Sequence, residues 1–449
     1  MKYTRYMTYK DSGVEWIGKI PSIWKVSKLK YIIQNFIGGG TPSTNVNEYW
    51  DIADGIPWIS ITDITRSNEI EDTERKITNT GLISKNLTLL SPGTIIYSMY
   101  ASVGKVSKLS ITATTNQAIL GLINNENRIL NDYLKFALEA FEPFIGFLFN
   151  SNTQNNINEE KVKNIFIPIC DLSNQRKIIK FLSIKINIID KLLLKIKNMI
   201  ELLQEKRQAI ITFAVTKGLD SNIPMKYSGV EWIGEIPEHW KIQKLKRSFN
   251  ILNGSTPRSD NPLYWDGDIV WVTPEDMSRT SKPTISDSLR QITEEGYKSC
   301  GTNLVPKGSL IVSTRAPIGY VKIAGVELCT NQGCRSLVKK RELDETYFFY
   351  YLSCFSNVLN SLGQGSTFPE LSTENLKTFQ VLVPPIEDQM SITKFLDSEV
   401  SQIDKLISKN LKLIDLLNEY KTSLITQAVT GKIDVRDFVS SNSSNGAKS

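Results

Sequence analysis

Apolar residues step by four and three in turn along two long stretches of the chain. The first set is Leu182, Ile186, Ile189, Leu193, Ile196, Ile200 and Leu203, and the second is Leu396, Val400, Ile403, Ile407, Asn410, Ile414 and Leu417. Such a spacing is the seam of a coiled coil. Both seams meet a cation, Arg207 and Lys421, before resuming at Ile210 and Leu424, and no proline interrupts either run. A continuous helix from Arg176 to Lys217 would be about 60 Å long at 1.5 Å per residue, well beyond the usual globular length. Asn410 stands where the first seam has Ile196, a polar knob that either fixes register or tilts to water.

Outside these stretches the pattern is that of mixed α/β globules. TIIYSMY (94–100) and SLIVSTR (309–315) predict strands, each after a proline-containing turn. NDYLKFALEAF and DETYFFYYLSCF predict amphipathic helices with Asn or Asp at the N-cap. KVSKLKYIIQNF and KIQKLKRSFN fit either a strand or a helix start.

The two halves repeat one another. SGVEWIGKIP at 12–21 returns as SGVEWIGEIP at 228–237, Thr41-Pro42 and Asn116-Gln117 return 215 residues later, and Asp190-Lys191-Leu192 returns 214 later. Because the first helix leaves one globule for the other, the second must run back to bury its seam. The fold class expected is therefore α/β, with two duplicated domains joined by two long antiparallel coiled-coil helices about a pseudo-two-fold axis. The expected boundaries are 1–168 and 221–384 for the domains, 169–220 and 385–440 for the helices, and 441–449 for a disordered tail.

Composition, at 41% hydrophobic and 22% charged, is that of an ordinary globular protein, and the net charge of +6 favours an anionic partner only mildly. No apolar run approaches the roughly 18 residues that span a bilayer, and MKYTRYMTYK lacks a signal peptide's apolar stretch, so a cytoplasmic location is expected. Five cysteines, an odd number, point to reduced thiols. Charge also separates the helices: residues 176–217 carry ten Lys/Arg against three Asp/Glu, and 390–432 carry six against five. The first helix is thus the one suited to meet acid or phosphate, although such faces are commonly just solvated.

Catalytic signatures are missing. The lone histidine, His239, has Ile23 as its counterpart, and no phosphate loop, nucleophile elbow, zinc helix, glycine-rich cofactor loop or amino-methyltransferase motif occurs. No cofactor or metal is expected.

The repeated GVEWIGEIPEHW opening, the G-x-TP loop, TNQG, PPIEDQ before the second helix, and the helix endings IITFAVTKGLD and LITQAVTGKID resemble the specificity subunits of type I restriction-modification systems over nearly the whole chain. The first half departs at PICDLSNQ, which implies a looser helix entry there. The resemblance implies two target recognition domains that each read half of a split site in double-stranded DNA. It also implies helices that act as spacer and as platform for two modification subunits, which bring S-adenosylmethionine for adenine methylation, and two ATP-driven restriction subunits. A stand-alone methyltransferase with built-in recognition, or a coiled-coil scaffold, are the alternatives.

Positions identical in both halves cannot distinguish two half-sites, so Asn116-Gln117 with Asn331-Gln332, and Arg66 with Arg279, are assigned to scaffold, phosphate or partner contacts. Bases are expected to be read where the halves differ: Ser43 against Arg258, Tyr100 against Arg315, and Leu120 against Arg335. Arginine forks onto guanine, and Asn or Gln onto adenine, which adds Asn152, Gln154, Asn155 and Gln364. Arg315 is the foremost candidate. Trp16, Tyr49 and Trp50 are expected in the core.

Overall fold

The computed structural model describes residues 3–51, 53–148, 156–280, 282–364 and 369–438. The chain forms two compact units, one of Met1–Ile196 with Lys412–Ser449 and one of Lys197–Leu411. The division falls within the long helices, whereas the sequence reading places boundaries at their ends. The expected tail at 441–449 lies outside the described residues.

Each unit is built on a five-stranded sheet. In the first the order is Ile33–Gly38, Ile119–Asn124, Ile95–Ser98, Val106–Leu109, Glu69–Ile70, antiparallel except for the last pair. The second repeats it with Phe249–Asn253, Cys334–Lys339, Leu310–Ser313, Val321–Ala324 and Thr284–Ile285. The continuous apolar runs of the sequence are explained by burial on both faces. Ile95 and Tyr97 enter one core and Ile96 another; Leu310 and Val312 enter one core and Ile311 another.

A smaller three-stranded sheet accompanies each large one, centred on Ile56–Ile59 in the first unit and Trp265–Val272 in the second. The ambiguous KVSKLKYIIQNF and KIQKLKRSFN are strand, one helical turn and strand in succession: Lys25–Lys28, Leu29–Tyr31 and Ile33–Gly38, then Lys241–Lys244, Leu245–Ser248 and Phe249–Asn253. Lys25–Lys28 pairs with Phe166–Ile169, and Lys241–Lys244 with Gln380–Val383, so the residues before each long helix are fixed by a strand ladder.

The first long helix spans Leu172–Lys217 and the second Ile386–Val429. Along the first, Leu182, Ile189, Ile196 and Ile200 are buried and Ile186, Leu193 and Leu203 half-buried; along the second, Leu396, Val400 and Ile403 are buried and Ile407, Asn410, Ile414 and Leu417 half-buried. The cations that interrupt the seams find carboxylates on the other helix, Lys421 Nζ to Asp190 at 2.7 Å in the first unit and Arg207 Nε to Asp404 at 2.9 Å in the second. Both are partly exposed pairs, each contributing at most about 1 kcal/mol.

Both helices end at a glycine with positive φ, Gly218 (+77°) and Gly431 (+69°), the left-handed C-terminal cap that an L side chain disfavours. Here the repeated opening phrase meets the repeated helix ending. Gly431 lies against Pro21 and Trp24, and Gly218 against Pro237 and Trp240. Buried tyrosines add the same bond twice: Tyr133 Oη donates to the Val429 carbonyl (3.3 Å), and Tyr347 Oη to that of Val215 (3.1 Å).

Two expectations are corrected. In the helix Asn131–Phe141 the N-cap is Leu130 and not an Asn or Asp, because the Asn131 amide turns to Glu126 while Gln175 Oε1 accepts from the Leu130 N–H at 2.9 Å. In the other half Asp344 is a true N-cap, accepting from Tyr347 N. The entry to the first long helix is also firm. Asp171 accepts from Asn174 N at 2.9 Å, and this backbone bond holds its carboxyl below the ordinary aspartate range, so the cap weakens as pH falls.

Gln175 and Gln389 are the buried pins of the two helix entries. Gln175 bonds Leu130 N, the Arg128 carbonyl and the Cys170 carbonyl; Gln389 bonds Asp344 N and the Pro384 carbonyl. Gln175→Leu leaves one buried and two partly buried backbone groups without their partner and is expected to lower stability by about 1–3 kcal/mol, with Gln389→Leu costing less. Denaturant unfolding of both variants measures this, and equal stability to the unaltered chain would refute it.

All five cysteines are free thiols. Burial pushes Cys170 and Cys329 up to about 12, and Cys334 Sγ packs at 3.7 Å from Met277 Sδ. These are core side chains.

Candidate nucleic-acid interface

A frame of two loops recurs in each unit. In the first unit, Gly39 lies so close to the carbonyls of Thr115 and Asn116 that a Cβ would overlap them, and Gly40 N donates to the Thr115 carbonyl at 2.9 Å. The Thr41 hydroxyl then donates to Gln117 Oε1, and Trp58 Nε1 to the Gly40 carbonyl at 2.9 Å. The second unit repeats every part: Gly254 against Thr330 and Asn331, Thr256 to Gln332, and Trp271 Nε1 to the Ser255 carbonyl at 3.0 Å. Asn116 and Asn331 close tight turns by accepting from Ala118 N and Gly333 N. Identical residues therefore tie the G-x-TP loop to the TNQ loop in both units.

Arg66 and Arg279 end two equivalent six-residue helices, Ile61–Arg66 and Pro274–Arg279, and both are exposed. Each helix starts on a buried carboxylate, Asp63 or Asp276, that completes a capping box with Ser60 or Thr273. Arg279 reaches its own Asp276 at 3.5 Å.

The positions that differ between halves divide by exposure. Ser43 and Arg258 share a backbone setting, each carbonyl accepting from a tryptophan Nε1, Trp50 at 3.1 Å and Trp265 at 3.2 Å. Their side chains project outward; Arg258 is 78% exposed and paired with Asp260 at 2.9 Å. Tyr100 is 37% exposed. Asn152, Gln154 and Asn155 lie outside the described residues.

Three candidates of the second unit come together on one residue, Glu370. Glu370 Oε2 meets Arg315 Nε at 3.1 Å, Glu370 Oε1 meets Arg335 Nη2 at 3.7 Å, and the backbone of Glu370 forms a bridge to Gln364 with bonds of 2.9 and 3.0 Å. Arg315 is 48% exposed, but Arg335 only 11%. The Arg335 guanidinium also donates to Thr373 Oγ1 (2.8 Å) and to the carbonyls of Gln332 (2.8 Å) and Cys334 (2.9 Å). Burial pulls it below the ordinary arginine value while Glu370 opposes the shift, and a guanidinium stays charged in either case. Its counterpart Leu120 is wholly buried in the first unit's core.

The family model described as the type I restriction modification DNA specificity domain matches the chain twice, over residues 21–202 and 237–415. The chain belongs to the type I restriction-modification DNA specificity family. A specificity subunit of the MjaIX system of Methanocaldococcus jannaschii is 37% identical over 194 residues, 43% of this chain and 44% of that protein, less than half of its length. A protein described as the putative MjaX specificity subunit of the same organism is 28% identical over 94% of this chain and 96% of its own. A solved structure concerned with complex assembly and conformational transition of the type I R-M system aligns with TM-score 0.67 at 15% identity, covering 91% of this chain and 98% of that one. The HsdS subunit from Thermoanaerobacter tengcongensis aligns with TM-score 0.53 at 15% identity, over 92% and 98%. At that identity these two establish the shared fold.

In this specificity chain, several site features escaped the sequence reading. Arg75 stacks on Trp50 at 3.6 Å and Arg290 on Trp265 at 3.4 Å, so both tryptophans are cation platforms; Trp265 is buried, whereas Trp50 and Tyr49 are only half-buried and not in the core as expected. Trp16 is in the core as expected. The constant offset from Arg75 to Arg290, and the Ser-x-x-Asp and Thr-x-x-Asp spacings of the capping boxes, were the available signals. Glu370 had none. His239 is a surface residue whose Nε2 meets Asp388 at 2.9 Å. Among the described residues, no helix is long and apolar enough to cross a membrane, and no group of His, Cys, Asp and Glu is arranged to hold a metal ion.

Proposed function

We propose that each unit reads one half of a bipartite site in double-stranded DNA, and that the chain itself makes and breaks no covalent bonds. The observation that carries this is the loop frame built twice from identical residues, with different exposed side chains, Ser43 or Arg258 and Tyr100 or Arg315, mounted on it. A shared frame sets position on the phosphate backbone, and divergent side chains supply different base preferences.

The two long helices act as an antiparallel coiled coil that spaces the readers. Support comes from the exchange of equivalent residues: Asp190 of the first helix meets Lys421 of the second, and Asp404 of the second meets Arg207 of the first. An antiparallel pair of equivalent helices suits a split site on a duplex that has its own dyad. The helices also carry exposed Ile188, Leu194, Leu202, Phe213, Leu413 and Leu416 away from the seams. Apolar side chains in such number suit docking of modification and restriction subunits, which supply methyl transfer and ATP-driven cleavage in the cytoplasm.

The test is a map of methylated adenines in a host genome with and without this gene, co-expressed with its modification subunit. A split motif that appears only with the gene is expected. Methyl transfer by the purified chain alone, or no motif at all, would overturn the reading.

A further inference from the structure

Resting on the two-reader reading above, we propose that Glu370 is a specificity-determining residue of the second unit. It aims Arg315 at a guanine, and Arg335 acts behind it as a positioning residue. The argument begins with the donors of Arg315. Its nearest charged contact is Glu370 Oε2, 3.1 Å from Nε, an ion pair without the alignment of a hydrogen bond, and its side chain makes no hydrogen bond among the described residues. A half-exposed guanidinium paired with a carboxylate on its Nε side keeps its terminal Nη1/Nη2 fork for another acceptor, and that edge matches the O6 and N7 acceptors of guanine in the major groove.

An unanchored arginine has several rotatable bonds and sweeps many positions, so its fork is sequence-selective only when something fixes it. Glu370 does this and is itself fixed. Its backbone is bridged to Gln364 and Arg315, the Leu371 N–H donates to the Thr314 carbonyl at 2.8 Å, and its second carboxylate oxygen faces Arg335 at 3.7 Å. Arg335 is in turn anchored to Gln332 and Cys334, residues of the TNQ loop and the strand that follows. A continuous line of contacts thus runs from the shared loop frame through Arg335 and Glu370 to Arg315.

The carboxylate has a second effect. Approaching the negatively charged duplex it is repelled, and an arginine that does not find paired guanine acceptors gains nothing to offset that repulsion. The first unit has Tyr100 and the buried Leu120 at the two arginine positions, so the relay belongs to one half-site only.

Full-length Glu370→Gln, Arg335→Leu and Arg315→Ala chains, each co-expressed with the modification subunit, would be compared by methylome sequencing and by duplex binding. Arg335→Leu installs the residue of the other half and tests position without deleting bulk. All three are expected to relax the same single guanine of the second half-site, cutting discrimination at that base about tenfold or more for Arg315→Ala and less for the other two. The first half-site should stay unchanged in all three and thermal stability in Glu370→Gln and Arg315→Ala, whereas Arg335→Leu is expected to lose some stability with its three hydrogen bonds; Glu370→Asp should restore part of the selectivity. An unchanged guanine preference in Glu370→Gln, or equal loss at both half-sites, overturns the relay while the two-reader reading stands. A wild-type methylome without a split motif overturns both.

Discussion

Gly39→Ala abolishes recognition of the first half-site and destabilises the first unit by about 2–4 kcal/mol, whereas Gly38→Ala, one residue earlier, costs under about 0.5 kcal/mol and leaves recognition intact. The contrast follows from what each added methyl meets. At Gly38 there is nothing within 4 Å. At Gly39 the obstacles are the Thr115 and Asn116 carbonyls, and backbone cannot swing aside as a side chain can. Those carbonyls belong to a segment already committed, with Asn116 N donating to the Ile59 carbonyl at 3.0 Å and Gly40 N to that of Thr115. Moving them breaks the Thr41–Gln117 tie and misplaces the loop that carries Ser43. The second unit retains its own copy of the frame, so the second half-site should still be read. Denaturant unfolding and a methylome of each variant check both halves of the prediction, and equal behaviour of the two glycine variants would refute it.

Lengthening both long helices by one turn, four residues after Asn198 and four after Lys412, should widen the unread spacer between half-sites and leave both half-sites unchanged. Four residues add about 6 Å of helix, and a duplex rises 3.4 Å per base pair, so an increase of about one to two base pairs is expected. The insertions must be matched, because a seam lengthened on one side alone puts the remaining apolar steps out of phase. A single insertion is therefore expected to lower stability and DNA retention together. An unchanged spacer in the doubly lengthened chain would remove the ruler role from the helices.

Much of this architecture was legible because its signals are local. Steps of four and three put Leu182, Ile189, Ile196 and Ile200 on one face of a helix, and they are the protected residues of that face. TIIYSMY and SLIVSTR contain strands because buried β-rich runs bounded by proline turns have few other options. Comparing the halves also picked out a shared contact, since Gln117 and Gln332 make the same bond to Thr41 and Thr256. The comparison weakened at Leu120 and Arg335. Sequence difference shows that a position varies, but not that it is exposed: Leu120 is wholly buried and Arg335 only 11% exposed.

The chain's order of residues by itself determined the duplication, the two long helices, the α/β character of what lies between them and the family to which it belongs, because each is written in short-range periodicity or in repeated words. Only the tertiary structure decided which arginines are available to a ligand. Whether a guanidinium is free depends on acceptors brought to it by folding, and Glu370, 55 positions after Arg315 in sequence, meets it at 3.1 Å in space.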